Sequence, residues 1–413
     1  MSGERVIGRR TILGGVVGGA CCGVMGGVLA TPAFAAPAEL PPASAPDDLV
    51  AFRRDLHSHP ETAGNEVRTA GLVAQRLRAA GLEVTTGVGG HGVVGVLRGA
   101  RRGRTVAYRA DMDAVPPNGQ VGGGTEAAHV CGHDLHTTIG VGVAEALARR
   151  RHRLAGTVMF VFQPAEEALA GAAAMLADGV FDAVRPAEIH ALHCGPFPVG
   201  QFAVMPGFGL PGQDRGVVTL TGPDAPARAQ ALATAITALR TVSQPTTPAD
   251  LERLVADLQT PGTPLARFVS IGARAADAQV QVSYRCWPEN RYTEVRANIT
   301  RLANSYGPAA VAFPTEPFPA MVVPERNGRE LANFLRRTIG AGSVTTLHAS
   351  VPFNGEDFAL FLDRIPGTFT FVGVRGPGSP IETAYPHFPT FNPDERAIGV
   401  GVRAMAAWLS SRT

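Results

Sequence analysis

The sequence has 413 residues, of which 45% are hydrophobic and 17% charged, so it can bury the core of one large domain or two modest ones. Its formal net charge of +2 comes from arginine set against acid, because no lysine occurs, and the basic residues are scattered along the chain. Composition therefore gives no support for binding to nucleic acid or to an anionic membrane.

The N-terminal segment predicts export. Arg9 and Arg10 precede an apolar, glycine-rich run over residues 12–30, and Ala33-Phe34-Ala35 provides an A-x-A cleavage site before Ala36. This pattern is typical of a twin-arginine signal peptide over residues 1–35. A transmembrane anchor is the alternative, because the run is nearly long enough to span a bilayer, but its glycine content and cleavage site favour the signal. We therefore expect a periplasmic or extracellular protein with no stable membrane anchor after cleavage.

Cleavage would also remove Cys21 and Cys22 and leave Cys131, Cys194 and Cys286. Three cysteines cannot form a disulfide framework. The twin-arginine route moves folded proteins, often with a cofactor loaded, and so points to a bound metal.

A Pro/Ala linker over residues 36–46 leads into a segment in which helical and apolar β-branched patterns alternate. The pattern predicts helices at 47–59, 66–80, 135–150 and 168–178, and strands at 92–97, 105–113, 156–167, 188–194 and 200–205. This alternation predicts an α/β sheet covered on both faces, with the candidate catalytic residues where strands end. We assign residues 47–212 to the first part of a catalytic domain.

The character of the sequence changes from about residue 213. A strand at 216–222, helices at 227–241 and 249–258, a strand at 278–287 and a helix at 292–304 predict a small α/β domain over 213–320. Larger elements return from residue 321, including helices at 328–339 and 394–410. Residues 321–413 would complete the catalytic domain, with the small domain inserted into it.

Five stretches concentrate metal-ligand residue types: 109–113, 129–134, 163–167, 190–194 and 385–395. Each alone is weak, because a single histidine is more often a core residue and paired acids often cap a helix. Together they are stronger, because the acids follow apolar strands and buried acids need a partner or a cation. The mixture of Cys, His and carboxylate suits zinc or a related transition metal.

The motifs also occur in a recognisable order: "RRDLHSHPE", "YRADMDAVP", "HVCGHDLHT", "GTVMFVFQPAEEALAGAAAMLADGVFD", "HALHCGPFPVG" and "NGEDFALFL". In this order they resemble the aminoacylase and carboxypeptidase family of dinuclear metallohydrolases, in the branch of hippurate hydrolase and N-acyl-amino-acid amidohydrolases. The resemblance implies a helix-covered mixed sheet of the zinc-exopeptidase type with an inserted small α/β lid or dimerisation domain. It also implies two divalent metal ions, zinc in the first place, with manganese, cobalt or nickel as alternatives, and a small N-acyl-amino-acid or peptide-like substrate.

The resemblance assigns roles to individual residues. Cys131 matches a cysteine ligand that contacts both metals. Glu166 matches the general base, which takes a proton from a metal-held water and returns it to the leaving amine. Asp113 matches the aspartate that orients a ligand or holds the base, and Arg285 matches a substrate-binding arginine. The remaining metal ligands implied by the resemblance are His133, Glu167, His193 and His387. Other side chains near the site, namely His129, His136, His190, Glu356 and Asp357, are expected to support or pack against it.

The inserted segment departs from the branch. The branch carries a lid histidine that reaches the partner's active site in a dimer, but no histidine occurs here between His193 and His348. An Asn-x-Ile-Pro segment that holds the substrate carboxylate is replaced by "ADAQVQVSYR", in which Arg285 alone matches. Loss of an oxyanion donor slows catalysis roughly a hundredfold to a thousandfold. Without the lid histidine, catalysis no longer requires a homodimer through the inserted domain, although the strands of that domain could still pair edge to edge.

Three interpretations stay open at this stage. The chain is an active amidohydrolase in which Arg285 or a tyrosine replaces the missing donor, or a metal-binding, weakly active or inactive exported relative. The third interpretation is an exported structural protein whose motifs are accidental, which the ordered series of motifs opposes. The intact base Glu166 favours the first interpretation, because a protein that only binds metal does not need it.

Overall fold

A computed structural model describes residues 46–413. The predicted signal peptide and nearly all of the predicted linker lie outside these residues. Within the described part of the chain, no helix combines the length and the apolar character needed to cross a membrane.

Residues 46–413 form ten α-helices and fourteen β-strands. The helices are α1 (Asp47–His57), α2 (Val67–Ala79), α3 (His133–Ala148), α4 (Gly171–Ala177), α5 (Ala225–Thr237), α6 (Pro248–Gln259), α7 (Tyr292–Ser305), α8 (Glu325–Thr338), α9 (Phe358–Leu362) and α10 (Arg396–Arg412). The strands are β1 (Glu83–Val88), β2 (Gly92–Arg98), β3 (Arg101–Asp111), β4 (Ala155–Gln163), β5 (Ile189–Pro198), β6 (Phe202–Val204), β7 (Gly209–Leu210), β8 (Asp214–Leu220), β9 (Phe268–Ala276), β10 (Gln279–Trp287), β11 (Ala309–Ala312), β12 (Met321–Val322), β13 (Val344–Thr346) and β14 (Gly367–Arg375).

The larger sheet has eight strands in the order β1-β2-β4-β3-β5-β14-β6-β13. Its centre is parallel, since β3 pairs in parallel with β4 and β5, and β5 with β14. Strand β2 pairs antiparallel with both β1 and β4, which makes the sheet mixed. This arrangement confirms the predicted α/β class with a mixed sheet.

Strand β4 shows why helices cover both faces of this sheet. Its side chains alternate between two buried cores: Val158, Phe160 and Phe162 belong to one, and Met159 and Val161 to the other. Successive side chains of a strand point to opposite faces, so a continuous apolar run requires cover on both sides. Helices α1, α2, α3 and α10 contribute to the first core, and α4, α6 and α9 to the second.

A second sheet of four antiparallel strands, in the order β11-β8-β10-β9, is built from residues 214–312. Helices α5 and α7 cover it through a core of its own that includes Val218, Leu232 and Ile299. These residues fall inside the segment 213–320 predicted as an inserted domain, whose exact limits stay a prediction.

Helix α6 differs from the expectation that it would complete the small domain. Its buried residues Leu251, Leu254, Val255 and Leu258 join the core of the larger sheet instead. The sequence gives helical spacing for this segment but cannot say which core its apolar face will cover.

Candidate active site

The ligand-type residues lie beyond the carboxyl ends of β3 and β4, on β5, and at the start of α3. Strand β3 ends at Asp111, two residues before the end predicted from the sequence, and β4 ends at Gln163. Asp113 and the pair Glu166 and Glu167 therefore lie in the turns that follow, rather than on strand ends. The carboxyl edge of a largely parallel sheet is the usual position of a binding site in α/β proteins.

A glycine sets the position of the first ligands. Gly132 has φ of 86°, a left-handed conformation that favours glycine, and it precedes α3, which begins at His133. A Cβ atom at this position would overlap the sulfur of Cys194. The turn therefore brings Cys131 and His133 to the sheet edge in a conformation that a larger residue would disturb.

The five predicted ligands come together in overlapping groups. Potential ligand atoms of Cys131, Glu167 and His387 lie within 4.8 Å of one another, as do those of a group that includes His133 and His193. The groups are linked, because Sγ of Cys131 is 3.6 Å from Nε2 of His193 and Nε2 of His133 is 3.7 Å from Oε1 of Glu167. One continuous cluster of thiol, imidazole and carboxylate groups results.

Each predicted histidine ligand uses its other ring nitrogen for an orienting contact. Nδ1 of His193 is 2.7 Å from the carbonyl oxygen of Cys194, and Nδ1 of His387 is 2.8 Å from that of Gly119. Nδ1 of His133 is 3.3 Å from the carboxylate of Asp113. Contacts of this kind fix the imidazole ring and its tautomer and leave Nε2 for a metal.

Two buried polar atoms in the cluster show that it fits a cation. Nε2 of His133 and Oε1 of Glu167 have no hydrogen-bond partner among the described residues. Such groups are costly to leave unpaired in a protein interior. A mixed Cys, His and carboxylate set is the donor chemistry of zinc and related transition metals, so the residues present fit the metals expected from the sequence.

Asp113 is the structural link between the cluster and the turn that carries the two glutamates. It accepts hydrogen bonds from the backbone N–H groups of Glu166 at 3.0 Å and Glu167 at 2.9 Å, besides its contact with His133. This fully buried carboxylate therefore fixes the positions of His133, Glu166 and Glu167 relative to one another.

Protonation differs between the two buried histidines of the cluster. Burial disfavours charged His133, but the carboxylates of Asp111 and Asp113 outweigh this effect and raise its pKa to about 10. Burial and the neighbouring His136 lower the pKa of His193 well below its usual value, which favours the neutral imidazole. Burial, with a contribution from Glu167, raises the pKa of the Cys131 thiol.

Behind Glu166 lies a buried network that contains Glu356 and Asp357, which were expected to support the site, and Arg109, which sequence reasoning did not predict. Arg109, 1% exposed, donates hydrogen bonds to Asp111, to Glu356 at 2.9 Å and to Asp357 at 3.3 Å. Burial and the carboxylates of Glu356 and Glu167 raise the pKa of Glu166 well above its usual value. The signal in the sequence was an arginine in the apolar strand that precedes the "DMD" acids.

The supporting histidines fall in different places. His136 has both ring nitrogens engaged, with Nδ1 2.6 Å from Asp111 and Nε2 accepting from the backbone N–H of Cys194, so it braces the cluster. His190 packs away from it, 2.9 Å from Thr368. His129 is buried, and neither of its ring nitrogens has a hydrogen-bond partner among residues 46–413.

A cavity of about 780 Å³ opens onto the cluster. Glu166 and Arg285 both line it, together with the amide side chains of Gln244 and Asn354. The Arg285 guanidinium makes only long contacts of 3.3 and 3.5 Å to backbone carbonyl oxygens and no ion pair with any described carboxylate. Burial lowers its pKa to about 10, the expected effect for a desolvated cation.

Comparison with known proteins identifies the family. The profile of peptidase family M20/M25/M40 matches residues 107–411. The chain belongs to this family. It is accordingly a metallohydrolase that acts on C–N amide bonds, and the resemblance inferred from the motifs is confirmed.

Similar proteins match this chain over most of its length. An N-acetylcysteine deacetylase of Bacillus subtilis is 30% identical over 382 residues, which cover 87% of this chain and 95% of that protein. Thermostable carboxypeptidase 1 of Saccharolobus solfataricus is 30% identical and covers 87% of this chain and 94% of its own length. A Bacillus subtilis crystal structure, titled a dinuclear metal-binding peptidase of the M20 family, has 28% identity and a TM-score of 0.67, covering 88% of this chain and 97% of its own.

Proposed function

We propose that this M20/M25/M40 family member is an amidohydrolase that releases an amino acid from N-acyl amino acids or related small amides. The proposal rests on one arrangement: Glu166 lines the cavity that opens onto the predicted ligand cluster. The cavity volume of about 780 Å³ suits a small substrate, since pockets for such ligands measure roughly 300–1,000 Å³.

Cys131, His133, Glu167, His193 and His387 would hold two divalent metal ions, with zinc the first expectation. When bound, such ions lower the pKa of water and stabilise negative charge that develops on the amide oxygen. The neutral state of His193 and the unpaired Nε2 of His133 suit this role.

Glu166 would be the general base. Its side chain lies beside the ligand cluster, with one carboxylate oxygen 3.9 Å from Nε2 of His133. Its raised pKa suits a group that takes a proton from water and later gives it to the leaving amine nitrogen. Nearby cations would lower that pKa, because opposite charges favour the ionised carboxylate.

Arg285 would bind the substrate carboxylate. A partly buried guanidinium without an ion-pair partner in residues 46–413 can gain from an anionic ligand, because the ligand replaces hydration lost on burial. Arg285, or Tyr385 in the same cavity, would also donate the hydrogen bond to the oxyanion for which this chain has no lid histidine.

The second candidate is a metal-binding relative with little or no activity, favoured by the absence of any histidine between His193 and His348. The experiment that decides is a measurement of bound metal in the purified full chain, followed by assays of amino-acid release. Substrates would be N-acetyl, N-benzoyl and longer N-acyl amino acids, with and without chelator and beside a Glu166→Gln control. Turnover that chelator and Glu166→Gln both abolish supports the amidohydrolase. Two bound metals with no turnover above the Glu166→Gln control favour the second candidate.

Export and assembly are further parts of the proposal. The twin-arginine pattern at Arg9 and Arg10 supports export. Replacing both by lysine should retain the protein in the cytoplasm in a fractionation experiment, and unchanged export would refute this route.

Strand β9, nine residues long at an edge of the small sheet, offers an edge for pairing two copies. Light scattering would show a dimer, and a monomer at all concentrations would exclude that pairing.

A further inference from the structure

Helix α6 lies in the chain between a helix that covers the small sheet and a strand of that sheet, but it packs on the larger sheet. It follows α5 and precedes β9 along the chain, while its apolar face belongs to the core of the larger sheet. Leu251, Leu254, Val255 and Leu258 repeat at spacings of three and four residues, which places them on one face of the helix. The exposed Glu252 and Arg253 lie on the other face.

Specific contacts hold α6 in this position. Thr247 and Asp250 form a capping box at its N-terminus. At its other end the carbonyl oxygen of Leu258 accepts a 2.8 Å hydrogen bond from the backbone N–H of His348, and Glu252 forms a 2.7 Å ion pair with Arg375. Beyond this internal cap, the helix is tied to residues next to the larger sheet through Arg375 at the end of β14 and His348 just after β13.

The buried face of α6 has two parts with different surroundings. Val255 and Leu258 line the cavity that also contains Glu166 and Arg285, whereas Leu251 does not line it. The apolar lining begins beside the ligand cluster, where the rings of Phe369 and Phe371 lie 5.8 and 5.9 Å from that of His193. Phe369 and Phe371 line the same cavity as Val255 and Leu258, and all four side chains belong to one hydrophobic core.

We propose that α6 is the wall that selects the acyl group of the substrate, with Val255 and Leu258 in contact with an apolar acyl chain or ring. This rests on the proposed function. Arg285, which would hold the substrate carboxylate, makes its contacts with Pro211 and Gly212 and none with α6, so the proposed carboxylate site and the apolar side chains of α6 are separate parts of the cavity lining. Bulky apolar acyl groups are preferred over acetyl, because acetyl leaves this wall uncovered.

The test compares N-acyl derivatives of one amino acid, from acetyl to decanoyl, in the wild type and in variants of α6. Leu258→Ala deepens the cavity and should move the preferred acyl chain to longer lengths, while Val255→Phe fills it and should move the preference to shorter ones. Because a methylene in an apolar pocket changes kcat/KM by about 10-fold or more, the ratio of octanoyl to acetyl substrate should shift by about that factor. Leu251→Ala is the matched control, since Leu251 is equally buried on the same helix but does not line the cavity.

An acyl-length profile that is the same in Leu258→Ala, Val255→Phe and Leu251→Ala overturns the inference. A change that follows the amino-acid side chain in a second panel, at constant acyl group, also overturns it. Should Leu258→Ala fail to fold, Leu258→Val makes the same test with a smaller change. Equilibrium binding of both panels separates this inference from the proposed function when it is measured on Glu166→Gln with and without the α6 substitutions. A binding preference for acyl length that shifts with the α6 substitutions, in a protein whose wild type shows no turnover, supports the wall and refutes the amidohydrolase.

Discussion

Asp113 and His133 form a buried pair in which Oδ1 of the carboxylate lies 3.3 Å from Nδ1 of the imidazole. The same carboxylate accepts the backbone N–H groups of Glu166 and Glu167. One side chain therefore orients a predicted ligand and fixes the turn that carries the predicted base.

Asp113→Asn should weaken metal binding more than it weakens folding. The amide can accept on one oxygen only, so its NH₂ group would face a backbone N–H or the ring of His133. Loss of a group that orients a ligand typically costs about 10–100-fold in metal affinity. Competition with a chelator measures this affinity. Asp134→Asn is the control, because Asp134 is equally buried but pairs with Arg53; equal losses in both variants would contradict the orienting role.

Glu166→Gln should retain metal and lose activity. The glutamine keeps the size of the side chain but cannot take a proton, and a general base contributes about 10²–10⁴-fold to the rate. Glu167→Gln should instead lose bound metal, because Glu167 lies within the ligand group of Cys131 and His387. Metal content and kcat, measured on both variants, check the assignment. Exchanged phenotypes would show that the two glutamates have the opposite roles.

The parts of this molecule that were predictable from sequence are those set by local patterns. The helix predicted at 135–150 corresponds to α3, and the apolar strand before the two glutamates corresponds to β4, because periodicity and strand-end acids are local signals. The Arg109 network was not predictable, since its partners Glu356 and Asp357 are more than 240 residues away. The packing of α6 was not predictable either, because its contacts with His348 and Arg375 are also distant in sequence.

Gly132→Ala should destabilise the protein and disturb the cluster. Its φ of 86° disfavours a Cβ atom, and that atom would overlap the sulfur of Cys194. We expect a loss of about 1–3 kcal/mol in the free energy of unfolding. Cys194→Ala removes the overlapping sulfur, so the double variant should recover part of this loss in a double-mutant cycle measured by denaturant unfolding. Strictly additive losses would indicate that the overlap has no energetic effect.

Metal affinity should rise with pH. His133 in the metal-free protein has a pKa raised to about 10, so it is protonated at neutral pH, and a ligand must be neutral. Below that pKa a proton competes with the metal, and each proton displaced increases apparent affinity by about tenfold per pH unit. Calorimetry in buffers of different ionisation enthalpy counts the protons. Because the Cys131 thiol also loses a proton when it binds metal, release of no more than one proton between pH 7 and 9 would contradict the protonated state of His133.

Glu188 should stabilise the fold far from the cavity, in a manner that acid removes. Its buried carboxylate accepts from Arg412 and from Arg104 at 3.1 Å and lies 3.4 Å from His190. Burial opposes ionisation, but the contacts with His190 and Arg412 outweigh it and lower the pKa of Glu188 below its usual 4.5. A lowered folded-state pKa stabilises the protein fully above the unfolded-state pKa, and this contribution is lost as pH falls below it.

Glu188→Gln should therefore lower the free energy of unfolding at pH 7 by about 1–2 kcal/mol, a modest value because both arginines reach solvent. The difference between wild type and variant should shrink as the pH falls below about 4.5, the usual pKa. Denaturant unfolding across this pH range measures the difference. A chelator is present so that pH-dependent metal binding does not contribute to it. Glu83→Gln breaks an exposed pair with Arg98 and should change stability little at any pH. A difference at Glu188 that stays constant from pH 7 to 3 would mean that its charge does not carry the stabilisation.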